Sequence, residues 1–182
     1  TTGAVTFKTS PDFESPQDAG ANNVYDVTVT ASDGTLSASK AVAITVTNVN
    51  EAPSVTSGGT ASFAENGTGT VYTVAGSDPD AGTTLSYSIS GTDAALFNID
   101  GTTGAITFKT APDFESPQDA GGNNVYDVTV TASDGTLSAT KSVAITVTNV
   151  NEAPSVTSGG SASFAENGTG TAYTGTDQDA GT

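Results

Sequence analysis

The sequence predicts an all-β protein, two antiparallel sheets packed face to face and repeated in tandem. Three observations predict it. Apolar and hydroxyl-bearing residues alternate with a period of two in several short runs, turn signals separate those runs, and the first 70 residues recur almost unchanged 101 positions later. Alternation of this kind leaves one side of a strand apolar, and such a side is stable only when a second sheet covers it.

The elements follow in order. Ser62 and Phe63 begin the first strand and residues 72–75 make the second. Leu85, Tyr87 and Ile89 alternate with Ser86 and Ser88 as a third, residues 96–99 form a fourth, and Ile106 with Phe108 a short fifth. In residues 125–132, Tyr126, Val128, Val130 and Ala132 share one face while Asp127, Thr129 and Thr131 share the other. Val143, Ile145 and Val147 repeat the pattern, and the intervening Ser133-Asp134-Gly135-Thr136 carries the Asp-Gly signature of a hairpin turn. That is about seven strands per ~100 residues, the strand density of a β-sandwich. Tyr72, Tyr87 and Tyr126 alternate with apolar partners and are expected in the core. Lys8, Lys40, Lys109 and Lys141 are expected at strand edges, where a charge blocks edge-to-edge pairing.

The repeat sets the organisation. Residues 1–70 and 102–171 align without gaps and differ only at Val5/Ile106, Ser10/Ala111, Ala21/Gly122, Ser39/Thr140, Ala41/Ser142 and Thr60/Ser161. The motif Asn48-Val49-Asn50-Glu51-Ala52-Pro53 returns as Asn149-Val150-Asn151-Glu152-Ala153-Pro154. Proline donates no ladder hydrogen bond and biases its predecessor to extended geometry, so each copy reads as a stiff linker. The expected units are residues 1–51 (the end of one repeat), 52–152 (a complete repeat) and 153–182 (the start of another). The chain is thus expected to be a window on a longer array.

Composition narrows the chemistry. The chain has no His and no Cys, which excludes Ser-His-Asp and Cys-His catalysis, disulfides and thiolate metal sites in this stretch. Twenty acidic residues against four basic ones, a formal net charge of -16, argue against nucleic-acid partners. No apolar run approaches the ~20 residues of a membrane helix, so no direct membrane contact is expected. Gly-Thr-Gly runs without Gly-Lys-Ser/Thr do not cradle phosphate. No catalytic residue is expected.

The acids sit at strand ends: Glu65 in Ala-Glu-Asn, Asp78 and Asp80 in Asp-Pro-Asp, Asp113 and Glu115 in Asp-Phe-Glu, Asp134 in the Asp-Gly turn, and Asn149, Asn151 and Glu152 in the linker. Alternate placement in extended chain aims two oxygens the same way. Six to eight oxygen ligands with no soft donor suit Ca2+ over zinc or copper. Asp18, Asp26, Asp93, Asp100, Asp119 and Asp127 have no motif partner and are read as plain surface charge. Asn66-Gly67-Thr68 and Asn167-Gly168-Thr169 satisfy the glycosylation sequon but overlap the Ala-Glu-Asn turn, and are read as chance matches.

Taken in this order, Ala-Glu-Asn, Asp-x-Asp, Asp-x-Glu, Tyr-x-Val-x-Val-x-Ala-x-Asp-Gly and Asn-x-Asn-Glu-Ala-Pro resemble the cadherin repeat, and most closely the cadherin-like repeats of large bacterial surface adhesins. The resemblance implies a seven-stranded Greek-key sandwich with Ca2+ held between consecutive repeats. It implies a first junction built from Asp12 and Glu14, then Asn48, Asn50 and Glu51, then Asp78, Asp80 and Asp134. It implies a second built from Glu65, Asp113 and Glu115, then Asn149, Asn151 and Glu152, then Asp177 and Asp179. Asp33, the copy of Asp134, would serve a preceding junction. The linker departs from the family pattern Asp-x-Asn-Asp-Asn: Asn48 and Asn149 replace the first Asp, Glu51 and Glu152 the second, and the last Asn is absent. Fewer anionic ligands should weaken at least one ion.

The function expected is that of a non-enzymatic extender in a secreted, extracellular adhesin or filament of bacterial type, stiffened by Ca2+ and partnered by neighbouring repeats of its own chain. A carbohydrate-binding or homophilic adhesion module is the alternative from another class. A fibre subunit assembled by strand exchange with other copies is a third.

Overall fold

The computed structural model describes residues 3–154, 161 and 163–171. Its elements are β1 (Val24–Ser32), β2 (Ser37–Thr45), β3 (Ser54–Val55), β4 (Thr60–Ala64), β5 (Thr70–Thr73), β6 (Gly76–Ser77), β7 (Ser86–Ser90), a single 3-10 turn (Ala94–Leu96), β8 (Phe97–Ile99), β9 (Ala105–Phe108), β10 (Val125–Ser133) and β11 (Ser138–Thr148). Residues 54–148 form a sandwich. One sheet has the order β4-β11-β10-β7, the other β5-β9-β8, and β3 pairs with β6.

The expected alternation is what closes the two layers. Along β10, Tyr126, Val128, Val130 and Ala132 are buried, whereas Asp127 is exposed. Val143, Ile145 and Val147 of β11 join them, because the antiparallel register sets Val128 opposite Val143 and Tyr126 opposite Ile145. Phe97, Ile106, Val71, Tyr72 and Val74 close the core from the second sheet. Phe97 and Phe108 stack at 4.3 Å, and Tyr126 meets Phe108 edge-on at 5.1 Å and 83°. All seven expected strands are present, but the pairing is not wholly antiparallel. β4 runs parallel to β11, with Ile145 opposite Ala61 and Val147 opposite Phe63. A parallel pair needs a long connection, and here almost the whole unit is that connection.

The hairpin β1–β2 repeats the register of β10–β11, residue for residue. No described strand covers its apolar face, so Val29 is 38 % exposed while its copy Val130 is fully buried. The rings of Phe7 and Tyr25 nevertheless meet edge-on at 5.0 Å and 83°, the geometry of Phe108 on Tyr126. That contact forms between residues only 18 positions apart.

Two acids read as surface charge are corrected. Asp93 and Asp119 are only 4 % and 5 % exposed. Asp93 accepts the Ala120 and Asp127 N–H groups at 2.8 and 2.7 Å, and Asp119 accepts those of Asn123 and Asn124 at 3.0 and 2.9 Å. The loop of residues 109–124 carries backbone donors that no strand satisfies, and a buried donor without a partner is costly. Both carboxylates answer that need. Of the four lysines expected at strand edges, Lys40 and Lys141 lie in strands and Lys8 and Lys109 outside them; Lys141 donates to the Ser57 carbonyl and Lys109 to that of Ala95.

Candidate metal centres at the two linkers

The sandwich gathers loops from both its ends onto the linkers. At residues 48–51, one oxygen each from Glu14, Glu51 and Asp80 lie within 4.8 Å of one another. Glu14 belongs to the loop before β1, Glu51 to the linker and Asp80 to the loop after β6. The Pro-Asp-Phe-Glu segment is shaped by Asp12, whose Oδ1 accepts the Glu14 and Ser15 N–H groups at 3.0 and 3.1 Å. Asp78 shapes its own loop in the same way, accepting the Asp80 N–H at 2.9 Å.

The linker itself is tied to the sandwich that follows it. Asn48 donates from Nδ2 to Asp80 Oδ1 at 2.6 Å, and the Glu51 N–H reaches Asp80 Oδ2 at 2.9 Å. Asn50 donates from Nδ2 to Asp134 Oδ2 at 2.7 Å. The other Asp134 oxygen holds the hairpin turn by accepting the Thr136 and Leu137 N–H groups, both at 2.6 Å. These donors, the Asn50 amide first, hold the Asp134 carboxyl below its usual range. Asp33 caps the equivalent turn, and the N–H groups of Leu36 and Thr35 lower it likewise.

A second cluster lies at residues 149–152, where oxygens of Glu65, Glu115 and Glu152 lie within 4.8 Å of one another. Glu65 is 3 % exposed and bridges two segments, accepting the Phe114 N–H at 2.7 Å and the Val150 N–H at 2.8 Å. Asn149 donates to Glu115 at 2.9 Å. Asn66 donates to Glu152. Asn66 was not among the expected site residues. It stands at φ 58, a left-handed position that Asn tolerates, and the Asn-Gly step after Glu65 is the signal that could have found it. Asp113 accepts the Ser116 N–H at 3.1 Å and shapes this loop as Asp12 shapes its copy. Asn151 turns its amide to the Glu152 carbonyl. Asp177 and Asp179 lie outside the described residues.

The first cluster is electrostatically loaded. The Glu51 carboxyl is raised above its ordinary value by loss of solvent first, then by the charges of Glu14, Asp80, Asp12 and Asp78. One Asp78 oxygen, Oδ2, is buried without a hydrogen-bond partner. An all-oxygen donor set, crowded anions and an unsatisfied buried carboxylate oxygen fit a hard divalent cation. Both groups could hold a metal ion.

Comparison with known proteins agrees with this geometry. Residues 60–148 match the family model described as the Cadherin domain. Among solved structures, the chain resembles protocadherin gamma B2 extracellular cadherin domains 3-6 (27% identity, TM-score 0.58, covering 76% of this chain and 36% of that one). It also resembles the protocadherin gammaB7 EC3-6 cis-dimer structure (28%, TM-score 0.56, 77% and 37%) and mouse cadherin-23 EC22-24 (25%, TM-score 0.55, 75% and 45%). Halomucin from Haloquadratum walsbyi (strain DSM 16790 / HBSQ001) is 40% identical over 72 residues, which is 37% of this chain and 1% of that protein. The chain therefore spans less than half the length of each of these proteins.

The sandwich of residues 60–148 belongs to the cadherin domain family. Domains of that family are non-enzymatic adhesion modules as a class, and typically bind Ca2+. No helix among the described residues is long and apolar enough to cross a membrane.

Proposed function

We propose that this chain is an extender segment of a secreted cell-surface adhesin, in which Ca2+ bound at each linker fixes the angle between consecutive repeats of about 101 residues. The proposed units are residues 1–51, 52–152 and 153–182. The observation that carries the reading is the convergence of Glu14, Glu51 and Asp80 from one unit, the linker and the next unit. Three carboxylates so close repel one another, and the repulsion acts across the hinge. A bound Ca2+ supplies the charge that turns this repulsion into a tie between units. The chain's own residues do the rest: Asp12 and Asp78 shape the two loops, Glu65 fixes the path of the linker at Val150, and Asp134 holds the hairpin turn against Asn50.

The outer surface supports a spacer over a recognition module. On the outward side of β7, β10 and β11, Ser90, Thr129 and Ser142 stand in one row, and Ser88, Thr131 and Thr140 in the next. Hydroxyls of this kind lack the aromatic and arginine anchors on which binding energy concentrates. The protocadherin neighbour described as extracellular supports placement outside the cell, where Ca2+ at about 10⁻⁴–10⁻³ M matches the affinity of extracellular modules.

Small-angle scattering tests the reading. Adding Ca2+ to chelated protein should lengthen and narrow the distance distribution, and calorimetry should register binding at the linker carboxylates. No heat and no change in dimensions at millimolar Ca2+ would overturn it.

A further inference from the structure

We propose that the carboxamide of Asn48 is a built-in substitute for the cation: its NH2 group ties the end of one repeat to Asp80 of the next and holds the junction together when no ion is bound. The proposal rests on the calcium reading only for where the ion would sit; the clasp itself involves no metal.

Both copies of this residue turn the amide nitrogen to a junction carboxylate. Asn48 donates from Nδ2 to Asp80, in the unit that follows the linker, at 2.6 Å. Asn149, its copy, donates from Nδ2 to Glu115, in the unit that precedes the linker, at 2.9 Å. Glu115 is the copy of Glu14, and Glu14 offers an oxygen within 4.8 Å of Asp80. A carboxamide N–H set against Asp80 puts partial positive charge beside a carboxylate that a bound ion would otherwise neutralise.

The rest of the linker makes the clasp robust on its downstream side. Asn50 donates to Asp134, and the Glu51 N–H to Asp80. Hydrogen bonds to ionised acceptors are about twice as strong as neutral ones. An aspartate at position 48 would place a third anion against Asp80 and leave the contact repulsive until a cation arrived. Asparagine there exchanges some ion affinity for cohesion at low calcium. When an ion binds, half a turn about the last side-chain torsion presents Oδ1 in place of Nδ2, so one side chain serves both states.

The test uses the full chain, which has no cysteine to interfere with labelling. Spin labels at Thr28→Cys and Ser88→Cys, both exposed, report the distance between the first hairpin and the sandwich. In chelator, the wild-type background should give a narrower distribution than either Asn48→Asp or Asn48→Ala, and Ca2+ should narrow it further. On adding Ca2+, Asn48→Asp should narrow again and bind the ion about tenfold more tightly than wild type, because it adds an anionic ligand. Equal widths for wild type and both variants in chelator would overturn the clasp. Failure of Ca2+ to narrow any variant would instead sink the calcium reading and leave the clasp standing. Circular dichroism of each variant checks that the sandwich is intact.

Discussion

Glu65 accepts the backbone N–H of Val150 at 2.8 Å, joining the first loop of the sandwich to the linker that leaves it 85 positions later. The same carboxylate accepts the Phe114 N–H, so the end of one repeat is defined by a buried anion rather than by apolar packing. Val150 itself is 44 % exposed. The linker is held by its backbone.

Replacing Glu65 tests that arrangement. Glu65→Ala removes the acceptor of two backbone donors and should cost about 2–6 kcal/mol, since each such group costs about 1–3 kcal/mol. Glu65→Gln keeps the shape with one acceptor oxygen and should cost about half as much. Urea unfolding in chelator reads this, and the Val150 amide should lose its protection from hydrogen exchange in both variants.

Asp93 should prove to be a structural residue independent of calcium. Its two bonds, to Ala120 and Asp127, join the loop after β7 to the loop before β10 and to β10 itself. Asp93→Ala should lower stability by about 3–5 kcal/mol, because hydrogen bonds to charged groups contribute about 1.5–3 kcal/mol each. The loss should be equal with and without Ca2+. A loss that appears only with Ca2+ would place Asp93 in the metal's service instead.

Gly104 stands at φ 72, and a Cβ there would lie 2.4 Å from the Val74 carbonyl oxygen. Gly104→Ala therefore meets backbone, in a conformation that L residues rarely adopt, and should cost at least about 1–3 kcal/mol. Thermal unfolding compared with Gly82→Ala, where φ is 85 but nothing lies within 4 Å, separates the clash from the dihedral cost. Gly104→Ala should be the worse of the two.

The acid limb of stability should run through Asp100. The N–H groups of Thr103 and Thr102 hold its carboxyl below the ordinary 3.8. A carboxyl lowered in the folded state contributes stability that is present above its unfolded value and is lost as pH falls through the folded value. Asp100→Asn should thus be less stable than wild type at pH 7, and the gap in melting temperature should close as pH falls through the folded value. A gap that stays constant with pH would assign the effect to shape alone.

Tyr126 sets an alkaline limb. Burial, opposed by the Gln118 N–H that its oxygen accepts, and reinforced by Asp119, Asp93 and Asp113, raises its phenol above 10.0. The folded state then keeps a proton that the unfolded chain releases, so this contribution is intact below pH 10 and falls as pH rises through the folded value. Tyr126→Phe should flatten that fall in a pH series of melting temperatures.

The fold was legible because its signal is local. Alternation in residues 125–132 and 143–148 places Val128, Val130, Ile145 and Val147 inward whatever else the chain does, and a second sheet must cover them. The site was legible only in outline. Glu14, Glu51 and Asp80 could be named from their motifs, but the direction in which Asn48 and Asn50 turn their amides could not. Nothing in the alternation marks Asp93 and Asp119 as buried either, since their partners are backbone N–H groups of a loop without a period.

From its sequence alone this protein was bound to contain a β-sandwich with anionic linkers, because strand period, turn residues and charge are properties of neighbours along the chain. Tertiary structure alone decided that β4 runs parallel to β11, that Glu65 captures Val150, and that the linker amides meet carboxylates from the adjoining loops. Those partners are set by which loops the closed sandwich brings to one end, and that is fixed only when both sheets have packed.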